Sequence, residues 1–406
     1  MSWFGFGFNA FGQICVQEKS VQEETSDAVG EVKVSVPVEL RSHVDHSCCL
    51  KTCQIRASWS RRACLHESRC VWLAGFSASS ISNDTRGCRD AIISESHLTL
   101  AFPDRIESWD VQRKDKTPLW SMEIIPQSES SGIWIFECTE HQKITTNMLL
   151  HVFCHFHTGV NLPLVPGGYI ASKPPIFRSL APHLQAKSLA LGGDHVILLT
   201  APGAVYSWGL GSHGQLGHGG LVSEEEPRTV EALWGVPMSS VAAGGWHSVC
   251  ISEGGDLYVW GWNESGQLGL PSRGLQKAPQ QKKAQPTELS DVSTPEEEPH
   301  DGDKHEEVFI SIQAFPALLD VNPSSDFQRA SCGSRHTAAV TTSGCLFTWG
   351  WGEYGQLGHQ TFNSLDEPRR VEFFKAKDLH VVDVVCGPWN TFTAAVKKGV
   401  LDLKNT

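Results

Sequence analysis

Three histidines recur at equivalent places in the chain, and histidine is the side chain most often used for proton transfer. His195 follows LALGGD, His247 follows VAAGGW and His336 follows ASCGSR. An active site occurs once in a chain, whereas a contact of the framework occurs once in every repeat. A buried imidazole needs hydrogen-bond partners. We therefore predict that these histidines are buried hydrogen-bonding residues of a repeated framework.

Two groups of histidines and cysteines have the ligand types of a metal site. They are His43, His46, Cys48, Cys49 and Cys53, and His151, Cys154, His155 and His157. Structural zinc sites usually show two regularly spaced ligand pairs such as Cys-x-x-Cys, and the spacing in both groups is irregular. We predict no metal site and keep the first group as a weak candidate.

Motifs for nucleotide binding or nucleophilic catalysis are missing from the sequence. The Gly-rich segments end in Gln-Leu-Gly and lack the Gly-Lys-Ser/Thr of a phosphate-binding loop. No Gly-x-Ser-x-Gly elbow occurs either. We predict that the protein is not an enzyme and takes no cofactor.

The segments that carry the histidines are copies of one unit of about 50 residues. Val241–Gly269 reads VAAGGWHSVCISEGGDLYVWGWNESGQLG, Leu189–His218 and Ala330–His359 repeat it, and a fourth copy at Val385 stops short. Alternating or apolar strands separated by glycine turns predict an all-β fold. The framework residues of the repeat are Gly193, His195, Trp208, Gly245, His247, Trp260, Gly333, His336, Trp349 and Gly387.

The half that the last copy lacks is found at the other end of the chain. Trp3–Ile14, WFGFGFNAFGQI, matches YVWGWNESGQLG. We predict that this strand completes the last blade and closes one β-propeller over residues 1–404, because closure removes exposed sheet edges. Four-stranded blades are expected, seven in number, of which six can be recognised in the sequence.

The clear repeats cover residues 189–240, 241–328, 330–384 and 385–404, and residues 55–180 are expected to hold degenerate blades. Within these, residues 128–164 show neither strand nor helix periodicity and are interpreted as an insertion or a gene-model error, poorly ordered. Residues 17–40 and 271–308 are polar and charged, so we predict a surface connector and a disordered acidic loop.

Composition restricts the partners. Lys+Arg 33 against Asp+Glu 45 gives a net charge of −12, which disfavours direct binding to nucleic acid. No long apolar run predicts a membrane span, and the N-terminus does not have the pattern of a signal peptide. The 13 cysteines are therefore expected to be reduced thiols in the nucleus or cytosol.

These motifs resemble the regulator of chromosome condensation repeat family, whose units carry Gly-Gly-x-His and Trp-Gly-x-Gly-x-x-Gly-Gln-Leu-Gly. The resemblance is strong over Leu189–Val400 and implies a seven-bladed propeller closed by its two termini. WFGFGF, AAGGWHSVC, WGWNESGQL and CGSRHTA are similar to a small vertebrate member of the family. That similarity implies a chromatin-associated adaptor that acts with a JmjC-type histone lysine demethylase in satellite-repeat repression, histone methylation control and chromosome segregation, with histones as further partners.

We therefore expect a non-enzymatic adaptor in the nucleus or on chromosomes, with the cytoplasm as a second location. Guanine-nucleotide exchange on a small GTPase, the activity of the founding member, is the alternative. A role in trans as a recognition module for ubiquitin transfer is the third hypothesis. The partner surface is expected within the N-terminal half, because its departures from the repeat have no framework reason.

Overall fold

In the computed structural model the chain forms seven antiparallel β-sheets, the blades, which follow one another round a ring. The structure describes residues 1–14, 32–40, 52–67, 69–76, 85–112, 117–125, 133–140, 150–153, 162–275, 308–321 and 325–398. The prediction of an all-β, seven-bladed propeller is confirmed.

The blades are numbered in the order in which the chain completes them. Blade 1 has β3 (Thr52–Ala57), β4 (Arg61–His66) and β5 (Val71–Gly75). Blade 2 has β6 (Asp90–Ile93), β7 (His97–Ala101), β8 (Arg105–Asp110), β9 (Trp120–Ile125), β10 (Ile133–Glu140) and β11 (Leu150–Phe153). Blade 3 has β12 (Leu164–Val165), β13 (Gly168–Ile170) and β14 (Phe177–Ser179).

The other four blades have four strands each. Blade 4 has β15 (Ala186–Leu191), β16 (His195–Thr200), β17 (Val205–Gly209) and β18 (Glu224–Thr229). Blade 5 has β19 (Met238–Ala243), β20 (His247–Ser252), β21 (Leu257–Trp262) and β22 (Ile312–Leu318). Blade 6 has β23 (Phe327–Cys332), β24 (His336–Thr341), β25 (Leu346–Gly350) and β26 (Leu365–Arg370). Blade 7 has β27 (Leu379–Cys386), β28 (Asn390–Lys397), β1 (Ser2–Phe8) and β2 (Lys33–Glu39).

Helical structure in the described residues is limited to short turns. Those between blades are the 3-10 turns Pro182–Leu184 and Glu231–Leu233 and the α-helix Glu372–Ala376. A further helical turn, within blade 5, includes residues 273–275. None of the described helices has the length and apolar content needed to span a membrane.

The apolar core lies between blades and continues round the whole ring. The second strand of the clear repeats is buried at every position in β16, β20 and β24, since both faces of a sheet contact a neighbouring blade. One cluster joins Ile197 of blade 4 to Trp260 of blade 5, and the next joins Val249 of blade 5 to Trp349 of blade 6. Corresponding clusters link blades 6, 7 and 1, blades 1 and 2, blades 2 and 3, and blades 3 and 4.

Blade 7 is built from both ends of the sequence. β1 lies between β28 and β2, and its register pairs Trp3 with Ala394 and Phe6 with Thr391. Gly7 has a φ of +111°, and a Cβ there would lie 2.6 Å from the Cα of Asn390, so only glycine fits this approach. The segment 3–14 thus supplies the third strand and the following turn of this blade.

Two segments differ from the sequence-based interpretation. The predicted connector 17–40 contains the edge strand β2, whose sequence KVSVPVE places valine at alternate positions. The predicted insertion 128–164 contains β10 and β11, and β10 pairs with β9 over six residues. Its sequence IWIFECTE is rich in β-branched and aromatic residues, which favour a strand despite the absence of the repeat motif. The end of this segment starts blade 3, where Leu162 is buried.

Two other predictions fall largely on residues that are not described. Residues 276–307 of the predicted acidic loop lie outside the described residues, as do His43, His46, Cys48, Cys49, Cys154, His155 and His157. Cys53 is in β3 and His151 is in β11. Among the described residues there is no group of three or more side chains that could hold a metal ion.

Candidate interaction face

A four-residue turn precedes the second strand of six of the seven blades that the structure describes. The amide of the first residue donates to the carbonyl of the fourth, and the fourth residue starts the strand. The pairs are Ser58 and Arg61, Ser94 and His97, Gly192 and His195, Gly244 and His247, Gly333 and His336, and Gly387 and Asn390, at 2.8–2.9 Å. Blades 1 and 2 therefore keep the turn although serine replaces its first glycine.

The three predicted framework histidines link consecutive blades. The Nε2 atom of His195 is 2.9 Å from Ser248 Oγ, that of His247 is 2.9 Å from Thr337 Oγ1, and that of His336 is 3.0 Å from Thr391 Oγ1. Each hydroxyl donates its own proton to the backbone carbonyl of Gln215, Gln267 or Gln356. The hydroxyl must therefore accept from the imidazole, which places the proton of a neutral ring on Nε2.

Burial keeps these rings neutral. The three imidazoles are at most 2% exposed. Loss of hydration lowers the pKa of His195 to about 4 and the pKa of His247 and His336 to about 3. A ring that is fixed between two blades and recurs in each repeat has the properties of a structural link.

Replacing His247 with alanine should lower the free energy of unfolding by about 2–3 kcal/mol, through loss of a buried hydrogen bond and the cavity that remains. Urea denaturation followed by tryptophan fluorescence measures the change. His183→Ala is the matched control because His183 is exposed, and it should change stability by less than about 0.5 kcal/mol. An unchanged denaturation midpoint for His247→Ala would contradict the structural role.

The hydrogen bond from a histidine to a hydroxyl of the next blade is missing where blade 7 meets blade 1. Asn390 occupies the histidine position, and Arg62 occupies the position of Ser248, Thr337 and Thr391. Both residues are buried, and Asn390 Oδ1 and the Nε and Nη1 atoms of Arg62 have no hydrogen-bond partner. This junction is held mainly by apolar packing, in which Ile55 and Cys64 of blade 1 join the core of blade 7.

The same end of the blades carries a surface row of aromatic side chains, which we call the aromatic arc. Its members are His213, Trp246, Trp262, Trp351, Tyr354, Trp389, Phe8, Phe11, Trp59 and Phe76. The rings of Trp246 and Trp262 have centroids 5.5 Å apart, and those of Trp351 and Trp389 are 4.9 Å apart. The guanidinium of Arg335 lies 4.7 Å from the Trp262 ring, and the carbonyl of Arg335 accepts from the amide of Trp351 at 2.8 Å.

The arc combines a repeat position that is mostly aromatic with one that changes between blades. Trp262, Trp351 and Phe8 stand two residues after the framework aromatic residue, where blade 4 has Leu210. The residue before the histidine position is Asp194 in blade 4, Trp246 in blade 5, Arg335 in blade 6 and Trp389 in blade 7. Most rings of the arc are half-buried, and Trp59 and Phe76 at its end are 45% and 54% exposed. Exposed aromatic groups on one face are typical of protein interaction sites.

The sequence predicted the framework residues but not the arc. Trp208, Trp260 and Trp349 lie at the interfaces between blades, and the indole nitrogens of the last two donate to the carbonyls of Gln215 and Gln267. The arc joins residues of the first 76 positions to residues of the last 200, so it does not lie within the N-terminal half alone. The second tryptophan of each WGW and the tryptophan of GGW were a signal for it, since framework packing uses only the first tryptophan of WGW.

The fold and its face define a class: a closed seven-bladed propeller whose repeated polar residues are internal and which carries partly exposed aromatic residues on one face. Models of the regulator of chromosome condensation (RCC1) repeat match residues 202–251, 254–294 and 343–395, and also 186–215, 238–267 and 328–356. The chain belongs to this RCC1-repeat family.

Two relatives match almost the whole chain. RCC1 domain-containing protein 1 of Homo sapiens is 43% identical over 407 residues, covering 98% of this chain and 98% of its own length. The same protein of Mus musculus is 42% identical over 98% of this chain and 97% of its own length. The solved structure of Prp20p from Saccharomyces cerevisiae has a TM-score of 0.63 at 17% identity, covers 100% of this chain and 95% of its own, and shows the fold.

Proposed function

We propose that this protein is a non-enzymatic adaptor that binds partner proteins on chromatin through the aromatic arc. The observation that carries the proposal is that ten aromatic side chains meet on one face and remain partly or largely exposed, so the core between blades does not account for them. The Nε2 atoms of the internal histidines, in contrast, are used by hydrogen bonds between blades.

Charge and similarity favour chromatin proteins over DNA as partners. A net charge of −12 is repelled by phosphate and attracted to basic proteins such as histones. Prp20p of yeast, which has the same fold, was studied for its binding to Gsp1p and histones. The resemblance described above adds a JmjC-type histone lysine demethylase as partner, with roles in satellite-repeat repression, histone methylation control and chromosome segregation in the nucleus.

The double variant Trp59→Ala/Phe76→Ala tests the arc as a binding site. Both side chains are about half exposed, so the fold should persist. Recovery of a JmjC demethylase from nuclear extract should fall about tenfold, because the aromatic residues at the centre of an interface carry much of its binding energy. Affinity purification with quantitative mass spectrometry measures the recovery.

Trp234→Ala/Phe315→Ala is the matched control, because these two side chains are 66% and 54% exposed and lie outside the arc. Equal recovery with both double variants would refute the arc as the binding site. If the protein is instead an exchange factor, it should accelerate nucleotide release from a small GTPase, and release assays distinguish the two functions.

A further inference from the structure

The junction between blades 3 and 4 differs from the junctions that follow it. At the next three junctions, the loop after the third strand of one blade packs against the outer strand of the next blade. Gly214 lies on Ala314, Gly266 on Asp366 and Gly355 on Ser35. A Cβ at these glycines would lie 2.6–2.9 Å from the Cα of the residue they cover, so the two backbones are in direct contact.

Blade 3 has no such loop. Only residues 171–176 connect β13 to β14, whereas residues 210–223 connect β17 to β18 in blade 4. The position of β18 that corresponds to Asp366 is Glu225, as the pairing of Glu224 with Gly209 and of Leu365 with Gly350 shows. The missing loop leaves a cleft of about 600 Å³ between blades 3 and 4, on the same face as the aromatic arc.

The floor of the cleft is apolar. Trp208, Tyr169 and Val196 line it, and all three are buried against the rest of the protein. The Trp208 Nε1 atom donates to the Tyr169 hydroxyl at 3.3 Å, because blade 3 offers no carbonyl like that of Gln215 or Gln267. Val196 stands where the next three blades carry a hydroxyl, so the floor attracts a hydrocarbon chain.

The walls of the cleft are acidic. Four carboxylates line it, those of Asp194, Glu224, Glu225 and Glu226, against two cations, Lys173 and Arg178. Asp194 pairs with Lys173 at 2.6 Å and Glu224 pairs with Arg228 at 2.6 Å. Glu225 and Glu226 are exposed and have no ion pair within the described parts of the chain.

Glu225 lacks the hydrogen bond that the equivalent carboxylate of blade 6 accepts. Asp366, its equivalent, accepts the backbone amide of Ser272 from the preceding blade at 2.9 Å. Blade 3 supplies no amide in that place. His195 also borders the cleft, and its Nδ1 atom, like those of His247 and His336, has no hydrogen-bond partner among the described residues.

We propose that this cleft binds a lysine- or arginine-bearing segment of a partner protein. The hydrocarbon stem of the basic side chain packs on Trp208, Tyr169 and Val196, and its charged group binds the free carboxylates of Glu225 and Glu226. The cleft would thus be where the proposed adaptor recognises its partner, so this proposal rests on that function. Peptide binding to the cleft can be measured without the chromatin partner.

Fluorescence polarisation of purified full-length protein with fluorescein-labelled hexa-arginine and hexa-lysine peptides tests the cleft, with labelled hexa-glutamate as the negative peptide. Glu225→Gln/Glu226→Gln should weaken binding of the basic peptides about tenfold, since two partly exposed carboxylates are lost. Ala171→Trp, which fills the cleft without changing charge, should weaken it by a similar factor.

Glu231→Gln/Glu253→Gln is the control for general electrostatic attraction, because both glutamates are exposed and lie at the opposite end of the blades. Its affinity should equal that of the wild type. The proposal is refuted if this control weakens binding as much as Glu225→Gln/Glu226→Gln does, if Ala171→Trp leaves binding unchanged, or if hexa-glutamate binds as tightly. If the wild-type protein binds the basic peptides but recovers no demethylase from nuclear extract, only the adaptor function is refuted.

Discussion

Replacing Phe6 with alanine should lower the free energy of unfolding by about 3–5 kcal/mol, the usual cost of truncating a buried phenylalanine. Phe6 has no exposed surface and belongs to the core that joins blades 6, 7 and 1. Its pairing with Thr391 gives it the same position as Trp260, which pairs with Ser248. The substitution therefore loosens the strand that closes the ring, and urea denaturation measures the loss.

Phe315→Ala is the control, since Phe315 lies on an edge strand and is 54% exposed. A change within about 0.5 kcal/mol is expected there. If Phe6→Ala were as mild as Phe315→Ala, closure by β1 would not be what stabilises blade 7.

Acidification from pH 7.5 to 5 should reduce the free energy of unfolding by about 6 kcal/mol through His195, His247 and His336 together. Burial lowers the pKa of His195 to about 4 and of the other two to about 3, while the unfolded chain has ordinary histidines near 6.5. Between these values the unfolded chain binds more protons, so stability is fully present above about pH 6.5 and is lost as the pH falls.

His247→Asn isolates this effect, because blade 7 naturally carries Asn390 at the same position. The variant should lose at most about one quarter of the pH dependence, measured as the melting temperature between pH 5 and 7.5, because burial also lowers the pKa of His359 to about 4. Burial also raises the pKa of Asp90 and Asp383, which opposes the trend at lower pH. A melting temperature that is independent of pH over this range would mean that the imidazoles are not buried as neutral rings.

The sequence was most informative where one residue performs the same task in several consecutive blades. The histidine, its glycine turn and the tryptophan after it are framework residues, so their repetition predicted the propeller and the closing strand at residues 3–14. Blades 1 and 2 were harder to recognise because Ser58 and Ser94 replace the glycine, and the backbone turn they make is visible only in the hydrogen bond to Arg61 and His97.

What could not be predicted depends on contacts between distant segments. The edge strand β2 has a valine alternation that is weak without its partner, because an edge strand contacts a neighbour on one side only. The aromatic arc and the cleft beside blade 3 each combine side chains from different blades. These side chains lie in different repeats of the sequence and become neighbours only through the ring.

The pairing of β1 with β28 also sets an order of events during synthesis. Phe8 and Asn390 are 382 positions apart, yet the Nδ2 atom of Asn390 donates to the carbonyl of Phe8. A ribosome therefore makes Phe8 and Phe11 first and Trp389 last, and the part of the arc that they share forms only when the whole repeat array has been translated. A partner that binds this part of the arc therefore needs a chain in which blade 7 has already closed.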